Sequence, residues 1–247
     1  MDREHFQALP PMARLALPLL ISYAAMGLFV FLAESLMGPE PLMRLDTLLT
    51  GLSASVLIPL YLKLNWEWYG GKEKRFVGFQ RALWLFLSVL LGAVLSLLYG
   101  MLSSLPNVSN FFQLFPGESQ EQMFASPLVL QLLVYCLLTP VSEELLFRAL
   151  SFSAIREMTE KISVLRARRR GGAAEDRKRE TETIFLPAFL TALLFAIYHG
   201  SFSQLFYALP MGLLFQYAER EGGSLCFPIA MHGGANLAAL LAEHFSS

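Results

Sequence analysis

Charge is what this sequence has least of. Asp, Glu, Lys and Arg make up 16% of its 247 residues, against about 25% in an average soluble domain. Set beside 55% hydrophobic residues and a mean hydropathy of +0.48, that leaves too little polar surface for an ordinary water-soluble globule. Cysteine is nearly missing as well. Cys136 and Cys226 lie far apart, each in an apolar run, which excludes a disulfide framework and reads as packing or lipid contact. Internal repeats and low-complexity tracts are absent. A formal net charge of -1 points to no class of partner, and the longest basic run is broken by Glu175, Asp176 and Glu180, against nucleic-acid binding. A cleavable signal is not expected: Arg3 and Arg14 precede an apolar stretch, Leu15–Leu36, too long for a typical signal core, so it reads as a retained span.

What the chain does have is long apolar runs. A membrane-crossing helix needs roughly 20 mostly apolar residues, and seven segments qualify in outline: Leu15–Leu36, Leu48–Leu64, Ala82–Leu102, Pro127–Ile155, Ile184–His199, Phe202–Tyr217 and Ser224–Leu241. The expected fold is all-α, a polytopic transmembrane helical bundle of about seven spans (six to eight), with residues 1–247 forming a single integral membrane domain. The fifth and sixth segments are short and nearly contiguous around Gly200, either two short helices or one re-entrant pair.

The basic residues give an orientation. Lys63, Lys72, Lys74, Arg75 and Arg81 lie between spans two and three. Arg156, Lys161, Arg166, Arg168, Arg169, Arg170 and Arg177–Arg179 lie between spans four and five. The connection Ser103–Ser126 holds no Lys or Arg, only Glu118 and Glu121. Seven spans then place the N-terminus and both basic loops in the cytoplasm. The polar stretch Arg166–Glu182, with Gly171-Gly172, reads as a mobile cytoplasmic loop. Trp66, Trp68 and Tyr69 fit an interfacial aromatic belt, while Glu34 reads as interfacial and His5 and His244 as solvated.

In a bilayer the informative residues are those that lipid disfavours. An Asp, Lys or Arg at a span centre costs about 2.5–3.5 kcal/mol on insertion scales, and span four carries Glu143, Glu144 and Arg148 together. Glu144 and Arg148 are four apart and share a helical face, so they can pair. Glu143 points about 100° away and lacks that partner, the way a general base or acid is set up in a dry site. On this pair of motifs alone, a structural interhelical salt bridge is the competing reading. Span five ends in Phe195-x-x-x-His199, and span seven holds His232-x-x-x-Asn236, whose side chains share one face. Gly233 and Gly234 between them let a neighbouring helix or a substrate backbone approach. Pro140 and Pro228, just before Glu143 and His232, can each kink a helix and free a carbonyl. Two histidines, an Asn and two carboxylates on three spans are too costly to be incidental.

This set resembles the CPBP family of intramembrane proteases, also called the Abi or type II CAAX-protease family, in its pattern Glu-Glu-x-x-x-Arg, Phe-x-x-x-His and His-x-x-x-Asn. The resemblance covers roughly residues 127–241 as a catalytic core; the first three spans add nothing specific to it. It implies a CAAX-type endopeptidase that hydrolyses a peptide bond of a membrane-associated, hydrophobic or lipidated substrate. By position, Glu143 is the base that deprotonates water and His199 helps to hold that water. His232 and Asn236 stabilise the oxyanion, and Glu144 with Arg148 is the pair that fixes the site. The family has also been described as metal-dependent. Glu143, His199 and His232 could then bind Zn²⁺ with one position open, although no His-Glu-x-x-His helix is present and metal-free catalysis fits slightly better. The expected partners are a peptide or membrane-protein substrate and the lipid bilayer, in a bacterial inner membrane. Two other functions compete: a non-catalytic scaffold or bacteriocin-immunity protein, which has no reason to keep a full catalytic set, and a proton-coupled carrier, which predicts the repeat symmetry that is missing. One tension remains in the span boundaries: they place Glu143 in the cytoplasmic half of span four but His199 towards the outer end of span five.

Overall fold

The computed structural model describes residues 3–38, 42–65, 76–114, 126–169 and 176–246, and in these the chain is helical throughout, with no strand. The helices, in order, are α1 (Arg3–Ala8), α2 (Pro11–Met37), α3 (Leu42–Leu64), α4 (Gly78–Ser103) and α5 (Pro106–Gln113). A continuous helical rod, α6, follows from Leu128 to Arg169, then α7 (Asp176–Tyr198), α8 (Phe202–Gly222) and α9 (Cys226–Ser246). The seven expected spans correspond to α2, α3, α4, α6, α7, α8 and α9. Among the described residues, four stretches are long and apolar enough to cross a membrane by length and composition, Pro11–Met37, Leu45–Leu64, Gly78–Ser103 and Leu128–Leu165, and Ile184–Tyr198 is a shorter apolar stretch within α7.

The apolar pattern is turned outwards as much as inwards. Leu20, Phe31 and Leu36 on α2 and Phe86, Leu90 and Leu97 on α4 are exposed, a distribution costly in water and natural in hydrocarbon. The shared core is built from Leu57 and Tyr61 of α3, Leu145–Leu150 of α6, Phe195 of α7, Met211 and Phe215 of α8 and Met231 and Ala235 of α9. Buried polar contacts tie the outer helices to it. The Tyr61 hydroxyl donates to Pro18 O (3.1 Å), and Arg14 of α2 pairs with Glu157 of α6 and donates to Gln7 Oε1.

Three boundary expectations are corrected. The segment Arg166–Glu182 is not a loop through its length: α6 continues to Arg169 and α7 begins at Asp176. Polar helices read as loop when hydrophobicity is the only signal, because α-helical propensity of Arg, Lys and Glu is high regardless of solvent. The segments around Gly200 are two long helices rather than a short or re-entrant pair. Gly200 turns between them at φ 70°, a conformation Gly adopts without steric penalty. Pro228 does not kink α9: it stands in the first turn of a helix that starts at Cys226, where no intrahelical partner for its missing N–H is needed. Trp66, Trp68, Tyr69, Lys72, Lys74, Arg75, Gly171 and Gly172 lie outside the described residues.

The longer helices also resolve the tension over depth. Phe147 is 22 residues from Arg169 and Tyr198 is 22 residues from Asp176, so α6 and α7 are arms of one hairpin with nearly equal reach. Phe147 accordingly meets Phe195 and Tyr198, ring centroids 5.2 Å apart in each case. Glu143 and His199 then stand at similar distances along the chain, 26 and 23 residues, from the helix ends Arg169 and Asp176.

Candidate active site

The site begins with a defect in α6. The rod is α-helical over Leu128–Leu133, π-helical over Val134–Leu138, α-helical over Thr139–Glu144, π-helical over Leu145–Ser151 and α-helical again over Phe152–Arg169. In the first wide turn the Thr139 N–H donates to Val134 O, five residues back. The next donor in that register belongs to position 140, which is Pro and has none. Tyr135 O is thus left for an outside donor, and Asn236 Nδ2 of α9 supplies it at 2.8 Å. Cys136 O, the carbonyl Pro140 would address in α register, faces Gly233: a Cβ there would lie 2.6 Å from it. Pro140 therefore leaves a free carbonyl, Tyr135 O, beside the polar cluster, and Asn236 is the residue that uses it. Wide turns of this kind recur at functional sites.

Beyond Pro140, α6 carries three ionisable groups into a packed interior. Arg148 and Glu144 have side chains 0% exposed and stand 3.0 Å apart, Nε to Oε2. The contact is ionic in distance but not aligned as a hydrogen bond, since neither atom has a hydrogen-bond partner. The Arg148 guanidinium instead donates from Nη2 to Gly212 O (3.3 Å) and lies over the rings of Phe195 (4.6 Å) and Phe215 (5.3 Å), which attract a desolvated cation. The other oxygen of Glu144 accepts from His232 Nδ1 at 3.0 Å. A carboxylate on Nδ1 fixes the proton there and turns Nε2 towards Glu143, whose Oε2 is 3.8 Å away. That is too long for a hydrogen bond, and Glu143 Oε2 has no hydrogen-bond partner. Of the two adjacent acids, Glu144 is consumed by Arg148 and His232. Glu143 is the one with a free oxygen and a side chain still 13% exposed.

His199 sits just past the C-terminal end of α7, its Nδ1 on Phe195 O at 2.8 Å. Because a carbonyl only accepts, Nδ1 carries the proton and Nε2 is left as the acceptor. The Phe195 ring joins the histidines, lying edge-on to His199 (4.5 Å) and to His232 (5.8 Å), while His232 stacks on Phe215 at 4.9 Å and 19°. The structure thus gathers Glu143, Glu144, Arg148 and His232 into one contiguous cluster. His199 is attached to it through Phe195. Asn236, one turn beyond His232, faces the same helix α6 but is engaged by Tyr135 O.

Metal ligation by Glu143, His199 and His232 requires three donors to converge, and among the described residues no group of three His, Cys, Asp or Glu side chains does so. Glu143 and His232 are the two of these donors that lie close together, Oε2 to Nε2 3.8 Å.

The sequence reading missed three supports. Gly92 of α4 lets α9 approach so closely that a Cβ would lie 1.9 Å from Met231 O, and Gly234 meets Val89 O in the same way at 2.3 Å. The third span, credited with nothing specific, is what α9 rests on. The Tyr135 hydroxyl donates within reach of Asp46 Oδ2 (3.2 Å) and Thr47 Oγ1 (3.3 Å) of α3, so α3 anchors the π turn. Glu219 of α8 is buried and accepts from Gln216 Nε2 at 2.9 Å. A glycine inside an apolar span and an acid flanked by Arg220 were the only signals available for these.

Residues 125–238 match the family model described as type II CAAX prenyl endopeptidase Rce1-like. Over these residues the chain is similar to that family. The match begins just ahead of α6 and ends within α9, so it encloses every member of the cluster. Neither the curated proteins nor the solved structures yield a match. The match, together with helices long and apolar enough to cross a membrane, supports a multi-pass helical membrane protein of a protease type.

Proposed function

We propose that this Rce1-like protein hydrolyses a peptide bond with a water molecule activated by Glu143. The observation that carries the reading is the division of labour between adjacent acids: Glu144 is spent on Arg148 and His232, while Glu143 keeps an unpartnered oxygen directed at His232 Nε2. In this scheme Glu143 takes the proton of the attacking water as its oxygen bonds to the scissile carbonyl carbon. His232 Nε2 hydrogen-bonds to the oxyanion as it forms, its ring held by Glu144 and by stacking on Phe215. His199 accepts a hydrogen bond from the water through Nε2. The proton collected by Glu143 is then delivered to the leaving amine, and the C–N bond breaks. Asn236 has a second amide hydrogen to offer the oxyanion while its first holds Tyr135 O. Arg148 neutralises Glu144, so that Glu143 is the acid left to change its protonation.

The substrate we propose is a peptide with its own hydrophobic or lipidated segment, which keeps it at the membrane and lets it enter between helices. Cleavage of such a peptide in proteoliposomes of the purified protein tests the reading. Wild type cleaves, and product formation continues after a chelator has removed divalent metals, as activation of the water by Glu143 alone requires. Loss of all cleavage on chelation, restored by added Zn²⁺, contradicts the metal-free scheme.

A further inference from the structure

Tyr135 O is a carbonyl that its own helix does not hold. In the wide turn Val134–Leu138 its donor would be position 140, and Pro140 has no N–H. A helix carbonyl released in this way is able to tilt away from the axis. Asn236 Nδ2 donates to that oxygen at 2.8 Å, so whatever fixes the tilt also fixes the asparagine amide.

Two contacts with α3 fix it. Val134 and Tyr135, the first two residues of the turn, are both buried. Val134 packs against Gly51, where a Cβ would lie 2.7 Å from Val134 Cγ2. Tyr135 reaches one turn nearer the start of α3. Its hydroxyl donates to Asp46 Oδ2 at 3.2 Å and lies 3.3 Å from Thr47 Oγ1 of the buried Thr47. A phenol has a single hydrogen to give, and the carboxylate is the stronger acceptor. Adjacent side chains of the turn are thus tied to one helix at two levels, which opposes rotation of the turn about its axis. α9 meets the same turn through Gly233, beside Cys136 O, and through Asn236. An acid near the start of a helix is favoured there by the dipole alone. What connects Asp46 to the site is the tyrosine bonded to it.

We infer that Tyr135, held by Asp46, is a positioning residue for the reaction proposed above: it sets the tilt of its own carbonyl and thereby aims the second Asn236 amide hydrogen at the oxyanion. Neither Tyr135 nor Asp46 touches the substrate in this role. Its kinetic consequence rests on the oxyanion role proposed for Asn236. The link from Asp46 through Tyr135 to Asn236 is measurable without any substrate.

Nuclear magnetic resonance of the full-length protein, labelled with ¹⁵N-asparagine in detergent micelles, reads the link. The Asn236 side-chain amide signals are those lost in Asn236→Ala. Tyr135→Phe, which removes only the hydroxyl, is expected to shift them, and Asp46→Ala to shift them in the same direction. Asp46→Asn keeps an acceptor and leaves them near the wild-type position. Cleavage in proteoliposomes of an internally quenched peptide carrying a prenylated cysteine reads the consequence. Tyr135→Phe and Asp46→Ala lower the single-turnover rate at saturating substrate about tenfold, with the half-saturating concentration unchanged. Asp46→Asn keeps most of that rate. Asn236→Ala costs about 10²-fold, the usual worth of one oxyanion donor, and adding Tyr135→Phe to it costs nothing further. Thermal unfolding in detergent confirms that the variants fold. Amide signals unmoved in folded Tyr135→Phe and Asp46→Ala overturn the link. An equal loss of rate from Tyr135→Phe with and without Asn236 overturns the positioning role. Signals that move while Asn236→Ala cleaves at the wild-type rate overturn the oxyanion role of Asn236, and the positioning role with it.

Discussion

At the scale of single residues, identical chemistry is divided by surroundings. Glu143 and Glu144 are neighbours in sequence, yet one is fully enclosed with two partners and the other keeps a free oxygen. Their different use follows from helical geometry, and so was legible early: i, i+4 spacing gives Glu144 to Arg148 and turns Glu143 away. What the sequence could not display was the second partner of Glu144, because His232 lies 88 positions away and only tertiary packing brings it to 3.0 Å. The energetic consequence is testable. Removing one member of a buried ion pair leaves the other charged and unpaired, at a cost of about 3–5 kcal/mol. Arg148→Ala should therefore lower the unfolding temperature sharply in detergent. Arg148→Lys should rescue it only in part, since an ammonium neither spreads over the Phe195 and Phe215 rings nor reaches Gly212 O in the same way. Unchanged thermal stability in Arg148→Ala would show that the pair has no structural role.

At the scale of elements, helices were easy to read and their ends were not. Apolar runs reveal where lipid lies, so each of the seven segments falls on a helix, and four of those helices are long and apolar enough to cross a membrane. Hydropathy is silent once a helix leaves the bilayer, and the extensions of α6 to Arg169 and of α7 back to Asp176 were taken for loop. Those same extensions bring Glu143 and His199 to one level. The π turns were hidden too: Pro140 marked the place, but which carbonyl it frees depends on the register of the turn. The closest helix contact, α4 on α9, rests on glycines that look unremarkable in an apolar run. Gly92→Ala puts a methyl group within 1.9 Å of a backbone carbonyl, which no rotamer change can relieve. We predict a loss of about 1–3 kcal/mol in stability, the usual size of overpacking, together with reduced cleavage as His232 is displaced. Gly27→Ala, where a Cβ meets nothing within 4 Å, serves as the matched control and should be neutral.

For the whole molecule, composition alone gave the solvent: a chain with so little charge and so much exposed apolar surface belongs in a bilayer, and the family match over residues 125–238 agrees. The orientation expected from the distribution of Lys and Arg is open to direct measurement. In a variant lacking Cys136 and Cys226, single cysteines at Lys72 and Gly172 should react with a membrane-impermeant maleimide from the cytoplasmic side. A cysteine at Ser119 should react only from the other. Labelling of all three from one side would contradict a seven-span arrangement. The claim on which everything else turns is that Glu143 is the base. Its most direct test is the single-turnover rate of peptide cleavage in proteoliposomes by wild type and by Glu143→Gln, the isosteric change that keeps shape and removes basicity. The account predicts a fall of about 10²–10⁴-fold, the usual worth of a positioned base, with the unfolding temperature unchanged. Cleavage by a folded Glu143→Gln protein at the wild-type rate would contradict it.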